Sequence, residues 1–176
     1  MNKPLLLHAC CAPCSIAIID ELKNQYDLTV LFFNPNIFPQ SEYFKRKDEV
    51  IKVCKEWGVP FIDLDYEHEN WKQTIKGLED EPEAGKRCAV CFAVRLKRTA
   101  EYAKENNIKI FASSLTSGRN KNAEVIGEIG ERLAREFGLE FLNENWKSKG
   151  RQEKGQKMTA ERGIYRQNYC GCEYSI

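Results

Sequence analysis

Five short apolar runs, most of them followed by a longer stretch with helical periodicity, constrain this chain more than any other feature. "LLLHAC" at residues 5 to 10 reads as a buried strand and "SIAIIDELKNQ" as the helix behind it. "LTVLFFN" is a second strand closed by the turn-forming "NPNIFP". Residues 41 to 57 put Tyr43, Val50, Cys54 and Trp57 on one helical stripe behind Ser41, a fitting cap. "VPFIDLD" is a third strand. Residues 66 to 85 hold a short helical pattern, "NWKQTIKGLE", broken by "DEPEAGK", and "RCAVCFAVRLKRTAEYAKENN" is a long helix. "IKIFASSL" is a fourth strand, Ile126, Ile129, Leu133 and Phe137 mark a helix from Asn122, and "LEFLNENW" is a fifth strand. Such alternation predicts an α/β fold: a single three-layer domain over residues 1–176 with a mostly parallel, Rossmann-like sheet.

Neither "GxGxxG" nor "GxxxxGK[ST]" is present, so the fold carries no dinucleotide-binding fingerprint and no P-loop. In open parallel sheets the site lies beyond the C-terminal strand ends. "ACCAPCS", "NPNIFP" and "SLTSGRNK" all fall on that edge.

With 42% hydrophobic and 30% charged residues the chain is globular rather than disordered. Its longest apolar run falls far short of the roughly 20 residues that span a bilayer, and "MNKPLLLHACC" lacks the features of an export signal. A cytoplasmic chain without a membrane role is expected. In that reducing compartment eight cysteines are not expected to form four structural disulfides, which leaves metal, sulfur chemistry or burial.

Cys10, Cys11 and Cys14 stand between the first strand and its helix; a helix start lowers a thiol pKa, which predicts a thiolate at Cys14. Cys88 and Cys91, three apart on a helix, share a face, with Arg87, Arg95 and Lys97 near enough to offset negative charge. Two cysteine clusters at helix starts point to a soft-metal site for iron-sulfur, zinc or copper(I). A closed four-thiolate zinc site is the structural alternative; a fifth cysteine adds an exchangeable position, a second metal or redox chemistry. Cys54 belongs to an apolar stripe and reads as core. Cys170 and Cys172 in "YCGCEYS" stay open between ligands, a transient disulfide and tail residues. His8 reads as a core histidine with a possible proton-transfer role. Asp63 and Asp65 read as turn carboxylates that could reach the site, and "SGRNKN" as either a helix cap or an anion site.

The net charge of +1 does not select a partner, but residues 145 to 168 carry a local excess of five positive charges. A polyanion would dock there.

"LLLHACCAPCS", "FFNPNIFPQSEYFKR", "GKRCAVCFAVRL", "SLTSGRNKN" and "YRQNYCGCEYS" together resemble the vitamin B12-independent epoxyqueuosine reductase family, over nearly the whole chain. The resemblance implies reduction of the epoxide of epoxyqueuosine, at the wobble position of a tRNA, to queuosine. It implies a 4Fe-4S cluster ligated by Cys10, Cys11, Cys88 and Cys91, with an additional mononuclear iron for which Cys14 and Asp65 are the positional candidates. It makes Cys170 and Cys172 a redox-active disulfide, and Cys170, Cys172 and Cys14 the catalytic cysteines. The partners implied are tRNA bearing epoxyqueuosine and an unidentified electron donor, acting on a monomer whose basic segment 145–176 completes the site. Trp146, Tyr165, Tyr169 and Tyr174 are candidate stacking surfaces for the modified base. Residue types alone leave two rivals: a thioredoxin-like thiol oxidoreductase built on Cys11 and Cys14, and a structural-zinc nucleic-acid-binding module.

Overall fold

Leu5, Leu6 and Leu7 sit at the centre of the molecule, on β1 (Pro4–His8). The computed structural model describes residues 1–176. Alternate side chains of a strand face opposite ways, so Leu5 and Leu7 join one apolar cluster and Leu6 the other. β1 pairs in parallel with β2 (Asp27–Phe32) on one side and β4 (Ile110–Ser113) on the other. The edges are β3 (Phe61–Asp63) and β5 (Glu140–Phe141), giving the all-parallel order β3-β2-β1-β4-β5.

Helices cover both faces, as a fully parallel sheet requires. On the first, Ile16, Ile19 and Leu22 of α1 (Ala12–Leu22) and Tyr43, Val50 and Val53 of α2 (Gln40–Trp57) pack on Leu5 and Leu7. Cys54 lies in this cluster at 1% exposure, the core position expected of it. Past the short α3 (His68–Thr74), the second face is covered by Phe92, Leu96 and Ala100 of α4 (Lys86–Glu105) and by Ile126, Ile129 and Leu133 of α5 (Ala123–Phe137). Each such leucine or isoleucine contributes about 1.5–3 kcal/mol by leaving water. The architecture is the expected three-layer α/β fold.

The sequence reading misses α6 (Arg151–Glu161), in the basic segment. It has no apolar stripe, and only Gly155 and Thr159 are buried along it. Charge docks it instead. Arg151 reaches Glu21 at 2.7 Å and Glu144 at 3.0 Å, and Lys154 reaches Asp20 at 2.6 Å. No helix is long and apolar enough to cross a membrane.

The chain winds outward from β1 through β2 to β3, then returns through α3 and α4 to β4 on the other side of β1. The strand order therefore reverses between β1 and β4. Loops leaving neighbouring strands diverge at such a point and open a crevice between them.

Candidate metal centre

β1 ends at His8, so Cys10 and Cys11 fall in the loop at the crevice, and Cys14 lies in the first turn of α1. The three Sγ atoms lie within 4.8 Å of one another. Cys10 and Cys11 are buried, Cys14 half-buried. The loop is held from the turn after β4: the Ser114 hydroxyl accepts from the Cys10 N–H at 3.0 Å and donates to its Sγ at 3.2 Å. His8 braces the same edge. Its Nε2–H donates to the Phe33 carbonyl and its Nδ1 accepts from the Ser113 hydroxyl, tying three adjacent strands. Burial lowers its pKa to about 4 and keeps the ring neutral, the core role rather than a proton-transfer one.

Proton sharing among the three thiols favours a thiolate at Cys10 over the one expected at Cys14. The Cys11 thiol first, then that of Cys14, stabilises negative charge on Cys10 and holds it well below the usual thiol range. Cys11 is raised chiefly by its bond to Cys10, and Cys14 is pushed up to about 12 for the same reason. Among the three, negative charge is favoured on Cys10, which the two other thiols and the Ser114 hydroxyl face.

Cys88 and Cys91 lie at the start of α4, at the same edge of the sheet. Cys88 is half-buried against the apolar cluster that includes Cys10 and Cys11, and its Sγ accepts from the Ala84 N–H at 3.3 Å. Cys91 joins Trp71, Ile75 and Cys172 in a smaller cluster. Neither is within the tight group formed by Cys10, Cys11 and Cys14. Of the cations expected to offset charge, Arg95 lines the crevice; Arg87 instead holds the carbonyls of Leu78, Glu79 and Glu81, and exposed Lys97 pairs with Glu101.

The crevice is a cleft of about 690 Å³ whose floor includes Cys10, Cys11 and Cys14 and whose wall includes Cys170. Its cationic lining is Arg46, Arg95, Arg119, Lys121, Lys147, Arg151 and Arg166, with Glu83 the one carboxylate. Lys121 Nζ lies 3.1 Å from Cys170 Sγ. Burial works to raise the Cys170 thiol, but Lys121 and Arg95 outweigh it and hold it below its usual range. Cys172 is buried behind the cleft, and burial pushes its thiol up to about 11. All eight cysteines are free, so the Cys170–Cys172 disulfide is not formed here; the pair stands as two unlike thiols. Arg46 positions their turn by donating to the carbonyls of Cys170 at 2.8 Å and Tyr169 at 3.1 Å.

Other candidates fall elsewhere. Asp65 is exposed and outside the cleft lining, and Asp63 pairs with Lys47 at 2.8 Å. Asn122 caps α5 by accepting from the N–H groups of Glu124 and Val125, and Arg119 and Lys121 of the same "SGRNKN" line the cleft. Trp146 is 1% exposed and donates to the Ser113 carbonyl, so it is wall rather than stacking surface. Tyr165 bonds Glu42 and Tyr174 stacks on Trp71, both outside the cleft, which leaves Tyr169 on its rim. Arg46 and Lys121 went unnoticed in the sequence, where nothing distinguishes them from other surface cations.

Residues 5–176 match the family described as epoxyqueuosine reductase QueH. The chain belongs to that family. It is an enzyme, an oxidoreductase, which sets aside the zinc-module rival. QueH of Histophilus somni is 41% identical over 99% of this chain and 73% of its own length. QueH of Acinetobacter baylyi is 42% identical over 98% and 80%, and that of Thermotoga maritima 35% over 98% and 90%. Two solved structures share the fold at 11% identity. One is the U34-tRNA thiolase NcsA of Methanococcus maripaludis with its 4Fe-4S cluster (TM-score 0.61, 99% of this chain and 62% of that one). The other is a predicted subunit of tRNA methyltransferase from Methanocaldococcus jannaschii (0.58, 94% and 93%). Membership in the QueH family supports epoxyqueuosine reduction, and the buried three-cysteine group is suited to iron-sulfur binding.

Proposed function

We propose that this QueH-family enzyme converts epoxyqueuosine in tRNA to queuosine, with a 4Fe-4S cluster held by Cys10, Cys11, Cys88 and Cys91 and an additional iron served by Cys14. The observation that carries the reading is the group of three thiols on the floor of a cationic cleft, at the point where strand order reverses. The donor set fits: thiolates suit iron-sulfur, and Arg95 and Lys121 supply buried or half-buried positive charge facing them. Asp65 is left out of the ligand set.

Removal of the epoxide oxygen as water consumes two electrons and two protons, and the bound iron-sulfur group supplies electron transfer at low potential. A dithiol at Cys170 and Cys172, passing to a disulfide, yields two electrons and two protons, the number needed. Cys170 faces the cleft as the more acidic thiol and Cys172 stands behind it as the protonated partner. An external dithiol or one-electron donor would then restore the pair. Lys121 holds a proton at Nζ beside Cys170, its pKa raised against burial by that thiol. Arg119 and Arg166, exposed and without carboxylate partners, would take phosphates of the anticodon stem-loop while Tyr169 offers a rim for the base.

Anaerobic purification followed by iron and acid-labile sulfide analysis tests the centre, and an assay on tRNA bearing epoxyqueuosine, read by nucleoside mass, tests the reaction. The expected result is iron with sulfide, and a nucleoside lighter by one oxygen. Zinc without sulfide, or an unaltered nucleoside under reducing conditions, would overturn the reading. Cys170→Ser and Cys172→Ser should keep cluster absorbance yet lose turnover; undiminished turnover removes the relay.

A further inference from the structure

Arg95 is a buried cation with no anion of its own. The residue is 2% exposed on α4, and no carboxylate lies within 4.0 Å of its guanidinium, although fifteen other pairs in the molecule meet that distance. Its protein contacts are long and neutral: Nε to the Cys91 carbonyl and Nη1 to the Asn34 side-chain oxygen, both at 3.4 Å. Nη2 has no partner. The Phe92 ring, 5.7 Å from Cζ, adds only a weak cation–π contact. Guanidinium does not lose its charge at any ordinary pH, so neutralisation cannot relieve the burial. Leaving a buried charge unpaired costs several kcal/mol, and folded proteins retain such groups where an anion meets them.

The groups that face Arg95 identify that anion. Cys91, whose carbonyl accepts from Arg95, stands one turn away on the same helix, and Arg95 lines the same cleft as Cys170 of the C-terminal turn and Cys10 of the β1 loop. Asn34, which accepts from Arg95, also donates to the Ala9 carbonyl next to Cys10, so one short chain of hydrogen bonds links the guanidinium to the cysteine loop. Lys121 is the second cation here, but it is half-buried and engaged with Cys170. Of the two buried arginines that line the cleft, Arg46 pairs with Glu42 and Arg95 has no carboxylate.

We propose that Arg95 is the resident counter-ion of the thiolate-bound iron-sulfur group, aiding its retention and raising its reduction potential. Reduction adds negative charge, and a fixed positive charge in a low-dielectric site favours the more negative state. The inference rests on the iron-sulfur reading above and adds to it a positioning residue that the cysteine pattern does not contain.

Two measurements test it. In the loaded protein, anaerobic redox titration followed by electron paramagnetic resonance should show a more negative midpoint in Arg95→Gln, with Arg95→Lys close to the parent. A Gln variant that folds but takes up no iron and sulfide, beside a Lys variant that does, supports the same conclusion. In the metal-free protein, chemical unfolding of Arg95→Met should match or exceed the parent's stability, because an unpaired buried charge has been removed. A Gln variant loaded with iron and sulfide at an unshifted midpoint overturns the proposal and leaves the iron-sulfur reading standing. If that variant instead shows only weaker tRNA binding, the missing anion is a substrate phosphate, and the proposal is equally overturned. Parent protein that takes up no iron or sulfide overturns both.

Discussion

Cys54 and Cys10 are both buried thiols, and their neighbours make opposite groups of them. Cys10 is met by a hydroxyl and two thiols, with the charge of Lys121 near; Cys54 lies in an apolar cluster, and burial pushes its thiol up to about 12. With the folded value above the ordinary one near 9, Cys54 contributes full stability below pH 9 and loses it as pH climbs toward 12, by roughly 1.4 kcal/mol per unit. Iodoacetamide at pH 8 should therefore leave Cys54 unlabelled in the folded protein while Cys170 reacts, as peptide mass mapping would show. Early labelling of Cys54 would contradict its place in the core. Gly171 is constrained from the other direction. Its φ of +119° is one that side chains rarely adopt, and a Cβ would stand 2.9 Å from Arg46 Nη1 and 3.0 Å from Ile37 Cγ1. Gly171→Ala should cost on the order of 1–3 kcal/mol in chemical unfolding and free the Cys170 turn from Arg46. Cysteines are rare enough that their sequence spacing announced chemistry. Arg46 was not legible that way, because its partners are carbonyls more than 120 residues away along the chain.

At the scale of elements, strands and helices were visible wherever apolar residues made the contact. The five apolar runs all contain strands of the sheet, and the stripes from Tyr43 to Cys54 and from Ile126 to Leu133 both face the core. α6 was invisible because its docking is ionic, and its charges looked like a surface for a polyanion. Two substitutions separate its contacts. Arg151 meets Glu21 with two nitrogens, meets Glu144 with a third donor interaction and covers the Trp146 ring at 4.6 Å, with 10% of its side chain exposed. Arg151→Ala should lower unfolding stability by about 1–2 kcal/mol. Lys154, half in solvent, makes one ion pair, so Lys154→Ala should stay within about 0.5 kcal/mol. Equal losses from the two would mean that total charge, rather than the Arg151 geometry, docks the helix.

For the molecule as a whole, that docking redistributes the charge available to tRNA. Arg151, Lys154 and Arg162 are engaged with Glu21, Asp20 and Glu56, and Lys157 lies near Glu161. Three of the seven cations read from residues 145 to 168 thus bond this segment to the rest of the fold. What remains is composite: Arg166 from that segment and Arg119 from the loop after β4 meet at one cleft from places 47 residues apart in the chain, and neither has an ion-pair partner. Binding driven by phosphate neutralisation loses affinity linearly on a log–log salt plot, with each lost contact reducing the slope by slightly under one. Arg119→Ala and Arg166→Ala should each weaken tRNA binding and flatten that slope, and the double variant should flatten it about twice as much. Arg162→Ala should leave it unchanged, because Glu56 already neutralises that side chain. Filter binding of tRNA across a salt series reads all four proteins on one plot. If Arg162→Ala flattens the slope as much as Arg166→Ala, the docking surface is the outer face of α6 and not the cleft that holds the cysteines.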